Sequence, residues 1–528
     1  MVSSLNLDSL LSASPRLLPS SELHARLALF VKLQDLQDTY RAELQRRPSH
    51  CHPPPAKKTA VASDGSEMQL LSLPSELLAR TLALLRAPSL ATCAQVSVAF
   101  HRSDEPQQPG AAAPQGLVEQ ALRLRAAEAC RVVPAARPDR EAGWVVYLLR
   151  LDLYAGVQSL PVVAGGYAHT LFVDAERRLL SCGGGDDDDE EFHSDVLGHG
   201  HGDIVPVPTP IPSMQGVRVS TVAASHSLSL AVTEAGQLYS WGRGYLGHSE
   251  AIQVLNVPTL VAAFLTMPVR RVAAGRCHIL AVTISGALYS WGSGTLVAVA
   301  LGHGNRAPQP MPKRVEALQG VLDVAAGQEH SLAFTSSALY SWGDGESGRL
   351  GHGNESGQLV PKRVEALQDR VCGVAAGMSH SLVVTSSGAV YSWGDGDSGR
   401  LGHGDESEQL VPKRVEAMQE RACGVAAGDF HSLILTCSGA VYSCGHNDGG
   451  VLGHSDLETD TLLPTLIEGL DEKICAVTSG TVHAIATTTG GRAWGWGYGI
   501  DASLGLQLTD HQTRPLEYPD LRIATPAI

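Results

Sequence analysis

Between residues 361 and 404 the apolar positions fall into four short runs, "PKRVEAL", "VCGVAAG", "HSLVVT" and "AVYSWG". Gly, Ser, Asp or Asn turns separate them, and "HSLVVT" shows the two-residue alternation of a half-buried strand. The runs recur. A Trp or Cys before a Gly marks them at Cys182, Trp241, Trp291, Trp342, Trp393, Cys444 and Trp494. A His before an apolar run marks them at His169, His226, His278, His330, His380, His431 and His483, with gaps of 57, 52, 52, 50, 51 and 52 residues. A fixed period of this length denotes a repeat architecture. Four antiparallel strands in each of seven units predict a mainly β fold, a seven-bladed β-propeller from about Pro161 to about Arg522. The first repeat and the chain's end are expected in neighbouring blades.

Chain direction sorts the turns. "HSLVVT" descends to the "SSG" turn and "AVYSWG" returns to the long "GDGDSGRLGHG" loop. "PKRVEAL" descends again, and "VCGVAAG" climbs to the residues before the next His. The long loops and the pre-His residues therefore share one face, and the "SSG" and "LQDR" turns share the other.

Ahead of the repeats the pattern becomes helical. Residues 21–47 place Leu27, Phe30, Val31 and Leu36 at helical spacing, within an N-terminal segment of residues 1–48. A Pro- and Ser-containing linker spans 49–67. Residues 68–104 read as a compact helical unit: Pro74 suits a first turn, Leu77, Leu78, Leu82 and Leu85 form a stripe, and Pro88-Ser89 starts a second helix. Residues 105–160 read as a helical bridge, and 161–528 as the propeller.

Charge is unevenly shared. Of 39 Lys+Arg and 54 Asp+Glu, residues 1–160 hold 17 and 15, leaving 22 and 39, a balance of −17, in the repeats. Such an array repels phosphate backbones, so direct nucleic-acid binding is not expected. The run "DDDDEEF" at Asp186–Phe192 lengthens the first long loop: Cys182 and Leu197 are 15 positions apart where repeats four to six have 8. It reads as a solvated loop or a steering patch for a basic partner. The ten Cys lack C-x-x-C pairing, and Cys372, Cys423 and Cys475 share one phase as a small buried apolar position. Reduced thiols suit the cytoplasm or nucleus. No stretch approaches 18 uninterrupted apolar residues, so no transmembrane helix or membrane role is expected.

In-phase loop histidines (His199, His248, His303, His352, His403, His454) raise a metal question. No carboxylate recurs at a fixed offset from them, so they are expected to brace loops. No nucleophile–base pair, paired carboxylates or phosphate loop emerges. Neither enzyme activity, nor a cofactor, nor a metal is expected.

The repeat "VAAGxxHSL…GxxYSWGxGxxGxLGHG…P" resembles the regulator of chromosome condensation family, across about 360 residues. Residues 73–100 resemble the F-box motif: "LPSELL", an apolar helix, Pro88 and Leu90, then Val96 and Phe100. The second resemblance implies docking on a Skp-type adaptor and a cullin–RING ubiquitin ligase through Leu73, Pro74, Leu77, Leu78 and Leu90, with the propeller selecting a substrate protein. The first implies, alternatively, nucleotide exchange on a small GTPase. The third repeat does carry a longer loop, but its insert (Leu296, Val297, Val299) is apolar and uncharged. Plant-type ultraviolet-B sensing, on the same propeller, uses Trp in G-W-x-H turns. Here those turns read "GYAH", "ASHS", "GRCH", "GQEH", "GMSH", "GDFH" and "GTVH", which argues against it.

The residues before each strand His change from repeat to repeat, while the framework around them does not. A variable position on a rigid rim is where recognition is commonly placed. The partner face is therefore expected at Tyr167, Arg276, Met378 and Phe430, flanked by a polar, mainly acidic rim of Asp344, Glu346, Arg349, Asp395, Asp397 and Arg400.

Overall fold

The structure is a computed structural model that describes residues 161–524, apart from 185–193, 293–299, 456–458, 500–501 and 508–509. The helical readings over residues 1–160, the acidic run at 186–192 and the apolar insert at 296–299 lie outside the described residues.

The described chain forms seven antiparallel sheets of four strands, each built from strands consecutive in sequence. Blades 1 to 7 begin at Val163, Val219, Val269, Val321, Val371, Ala422 and Ile474. In blade 5 the strands run, from the ring axis outward, Val371–Ala376, His380–Thr385, Val390–Gly394 and Gln409–Arg414. The run "PKRVEAL" divides: its first three residues end the outer strand of the preceding blade, and Val364 to Leu367 turn toward the next. Tyr340 accordingly pairs with Arg363. The apolar content of the run came from Val364 and Leu367, which are buried beneath the turn and not in a ladder.

Pro occupies the same register in every outer strand (Pro208, Pro258, Pro312, Pro361, Pro412, Pro464, Pro515). Pro is tolerated only on sheet edges, where its missing N–H discourages pairing with another chain.

The core lies between blades. Trp393 of blade 5 packs on Leu332, Phe334 and Val364 of blade 4 and its turn. Trp241, Trp291, Trp342, Trp393 and Trp496 are all fully buried. The last of these corrects the marker placed at Trp494. His483 pairs with Gly497 and Ala484 with Trp496, which puts Trp496 in phase and Trp494 at the Tyr position, beneath Arg492.

Closure joins blade 7 to blade 1. Asp174 and Ile523 form a β-bridge, the Ala524 amide donates to Val173 O at 2.8 Å, and the Ala175 amide donates to Arg522 O at 2.8 Å.

Candidate functional site

Beneath the long-loop face lies a repeated hydrogen-bonded frame, and its physics separates structural residues from those left over. At the seam between blades 4 and 5, His330 Nε2 is 2.9 Å from Ser381 Oγ. Ser381 Oγ donates to Arg349 O at 2.9 Å, and Trp393 Nε1 donates to the same carbonyl at 2.9 Å. The seryl proton is thus committed, so the imidazole carries its proton on Nε2 and donates. One loop carbonyl, with two lone pairs, takes both donors from the next blade. The seams between blades 1 and 2 (His169, Ser229, Trp241, Val196 O) and between blades 3 and 4 (His278, Ser331, Trp342, Ala300 O) repeat this stitch.

Three further seams use variants. Cys444 replaces Trp between blades 5 and 6, with its Sγ 3.7 Å from Arg400 O. Ala484 replaces the Ser in blade 7, and His431 finds Ser479 Oγ instead at 2.7 Å. At closure His483 donates to Thr170 Oγ1 at 2.9 Å, and Thr170 donates to Ser503 O.

Burial holds these imidazoles neutral. His169 and His431 are lowered to about 3, His278 and His483 to about 4, and His330 and His380 well below the ordinary value. In six of the seven blades a Gly precedes the rim turn, Ser225 taking its place in blade 2, and close approach requires it: a Cβ on Gly377 would overlap Gly428 O and the His380 ring.

The loop histidines brace their loops, as the repeat phase implied. His352 Nε2 and His403 Nε2 each lie 3.0 Å from a strand Ser Oγ (Ser341, Ser392) that itself donates to a loop carbonyl. Among the described residues no group of three His, Cys, Asp or Glu could hold a metal. Of the in-phase cysteines, Cys372 is buried and Cys423 and Cys475 are half-buried.

The structure brings most of the expected partner residues to one face, in two roles. Arg276 is exposed, and Tyr167, Met378 and Phe430 are half-buried. Glu346 and Asp397 are exposed. Arg349 and Arg400 differ from their expected exposure: they are 5% and 4% accessible. Arg349 pairs with Asp344 at 3.3 Å, and Arg400 with Asp395 at 2.8 Å while covering the Phe430 ring. These Arg–Asp pairs hold the loops in shape and leave no free cation there. Leu73, Pro74, Leu77, Leu78 and Leu90 lie outside the described residues.

One phase assignment changes the site. Leu228, not His226, pairs with Gly242, the register that His380 and Gly394 occupy in blade 5. His226 therefore sits at the rim, stacked on Tyr167 with ring centroids 4.5 Å apart. The rim series around the axis then reads Tyr167, His226, Arg276, Gln328, Met378, Asp429, Thr481, a different residue in every blade. It surrounds a cavity of about 130 Å³ at the ring axis, lined by His226, Arg276, Gln328, Asp429 and Thr481. Gln328 Nε2 donates to Asp429 Oδ2 at 3.1 Å across an intervening blade. Burial raises the Asp429 carboxyl to about 6 against the opposing influence of Gln328, Arg276 and Arg400. Gln328, Asp429 and Thr481 belong to the variable pre-His series without being among the four expected docking residues, and His226 stands outside that series because its own Ser227-Leu228 imitates a strand start. The signal for His226 is spacing: it stands 15 residues before Trp241, where His278–Trp291, His380–Trp393 and His431–Cys444 are 13 apart.

Residues 244–525 match the model of the RCC1-like domain. The chain belongs to that family. The ultraviolet-B receptor UVR8 of Arabidopsis thaliana is 31% identical over 333 residues, 61% of this chain and 64% of the receptor. The E3 ubiquitin-protein ligase HERC2 of Mus musculus is 38% identical over 351 residues, 65% of this chain and 6% of the ligase. The chain thus spans less than two thirds of either curated relative. The solved structure of Prp20p from Saccharomyces cerevisiae, described with its binding to Gsp1p and histones, has a TM-score of 0.53 at 26% identity, covering 60% of this chain and 80% of Prp20p.

Proposed function

We propose that this protein is a non-catalytic, substrate-recruiting adaptor of a cullin–RING ubiquitin ligase. In this reading the F-box-like residues 73–100 dock on a Skp-type adaptor, and the long-loop face of the propeller holds the substrate protein in the cytoplasm or nucleus. The observation that carries the binding role is the contrast on that face: the frame beneath repeats, while the residue above it changes in all seven blades. The His–Ser pairs of the frame resemble a nucleophile and base only in distance. They are fully buried, and each such seryl proton in the repeating stitch is committed to a carbonyl. The ligase role rests on the F-box-like motif and on likeness to a ubiquitin ligase.

Leu77→Asp with Leu78→Asp is expected to abolish recovery of the Skp-type adaptor and cullin in affinity purification, because an unpaired carboxylate at an interface costs several kcal/mol. The propeller's thermal transition should stay in place. Unchanged recovery, or none from the parent protein, would sink the ligase role. Replacing Tyr167, Arg276, Met378 and Phe430 with Ala should weaken substrate capture while adaptor recovery persists.

A second reading, regulation or nucleotide exchange of a small GTPase, is supported by the likeness to Prp20p. Accelerated nucleotide release from a GTPase recovered with the full chain would favour it. Ultraviolet-B sensing has less support, since five of the indoles are sealed in the seams and the rim series contains no Trp.

A further inference from the structure

We infer that the well at the ring axis receives one basic side chain, a guanidinium or ammonium group presented by the partner protein, with Asp429 as its counter-charge. The inference rests on the reading that a partner docks on the long-loop face, and it names the chemistry recognised there.

Size comes first. A volume of about 130 Å³ is well below the several hundred that small-molecule sites usually offer. It suits the head of a single long side chain. Next, three of the rim amides are already engaged. The Thr481 amide donates to Gly166 O at 3.1 Å, the Gln328 amide to Gly377 O at 3.3 Å and the Asp429 amide to Thr481 O at 3.4 Å. The charged chemistry of the well belongs to the side chains.

Two charged groups line the well, and they are not equivalent. Arg276 is exposed and keeps its hydration. Asp429 is half-buried, and Gln328 fixes one of its oxygens without neutralising it. Among the described residues no cation lies within ion-pair distance of Asp429. A desolvated carboxylate without a counter-ion is costly, and an entering cation relieves that cost. The raised Asp429 pKa reports the same desolvation.

The surrounding field has the matching sign. Arg349 and Arg400 are consumed by Asp344 and Asp395. Asp397 and Asp448 stand exposed on neighbouring loops, and Glu329 is half-exposed at the rim. Apart from Arg276 on the wall, these exposed carboxylates attract a cation approaching the axis. In blade order Asp429 lies across the axis from His226, whose stacking on Tyr167 offers an aromatic flank for a guanidinium plane.

The test uses the full chain and two small probes, acetyl-arginine methylamide and its neutral isostere acetyl-citrulline methylamide, titrated by ligand-observed NMR. The arginine probe should bind about tenfold or more tightly than the citrulline probe, the scale of one charge-assisted hydrogen-bonded pair. Asp429→Asn, which keeps the shape and the Gln328 contact, should remove that preference. Gln328→Glu, which adds a second carboxylate, should strengthen it. Equal binding of the two probes, or an unchanged preference in Asp429→Asn, overturns the inference. The assay needs no partner, so the two readings fail separately. Normal probe preference with undiminished partner capture by the quadruple alanine variant tells against the docking face alone. Absent probe preference with capture lost in that variant tells against the well alone.

Discussion

The seam between blades 4 and 5 and the seam between blades 2 and 3 do the same job with opposite chemistry. The first has His330, Ser381, Trp393 and the carbonyl of Arg349 in one hydrogen-bonded stitch. The second has Leu228 where the His would be and Ile279 where the Ser would be, both in one apolar cluster. Trp291 keeps its place, but its Nε1 has no partner among the described residues. The loop explains why. Trp241 and Leu246 are 5 positions apart in blade 2, where the corresponding pair in blade 4 is 8 apart, and the shortened loop brings no carbonyl to that indole. Both partners of the His–Ser pair changed together, as the energetics demand. Replacing one member of a buried pair strands the other, whereas replacing both with apolar groups of similar size is nearly neutral.

The largest test of this contrast is pH. The six seam imidazoles, His169, His278, His330, His380, His431 and His483, all have folded pKa values below an unfolded value of about 6.5. Between those limits the unfolded chain binds more protons, so stability is complete above about pH 6.5 and is lost as pH falls. Each histidine contributes a slope of about 1.36 kcal/mol per pH unit. The thermal midpoint should therefore drop steeply between pH 6.5 and 5. Converting one stitched seam to the apolar kind, His330→Leu with Ser381→Ile, should lower the slope by about one proton, so that this variant loses about 2 kcal/mol less across that interval. Identical pH slopes would show that the histidines do not carry the acid response.

A smaller effect comes from the reverse exchange. Leu228→His alone buries an imidazole against Ile279 and should cost about 1–3 kcal/mol. Adding Ile279→Ser should return a good part of it, with a coupling of about 1 kcal/mol in a double-mutant cycle followed by urea denaturation. Strict additivity would mean that the pairing across seams is incidental.

The smallest difference separates two indoles. Trp393→Phe removes a donor from Arg349 O as well as packing volume. Trp291→Phe removes an indole N–H that has no partner. The first should cost about 1 kcal/mol more than the second. Equal costs would place the whole role of these residues in packing.

Much of this architecture was legible in the sequence because it is local and periodic. Seven units, four strands, the shared face of the long loops and the bracing role of the loop histidines all follow from residues that recur in phase. The errors came where a residue type stood in for a phase. His226 and Trp494 carry the expected letters two positions from the in-phase residues, and only the ladder register shows Leu228 and Trp496 in their places. Arg349 and Arg400 misled for a different reason. Their spacing put them on a loop, and nothing in spacing alone reveals that a nearby Asp folds each guanidinium inward. The axial cavity is the least legible feature, because its lining comes from two or three residues in each of the seven blades, brought together only by closure.

Because every sheet is made from consecutive strands, only the single Asp174–Ile523 bridge straddles the join between the first and last blades among the described residues. The two ends of the ring nevertheless meet on a single residue: the Val173 amide donates to Val162 O, and Val173 O accepts from the Ala524 amide, each at 2.8 Å. The blades are thus complete cassettes in a circle whose starting point is arbitrary. A chain relinked from 524 to 161 and reopened in the turn at Val364–Leu367 would be a circular permutant with all seven sheets uncut, its new ends on the face away from the axial well.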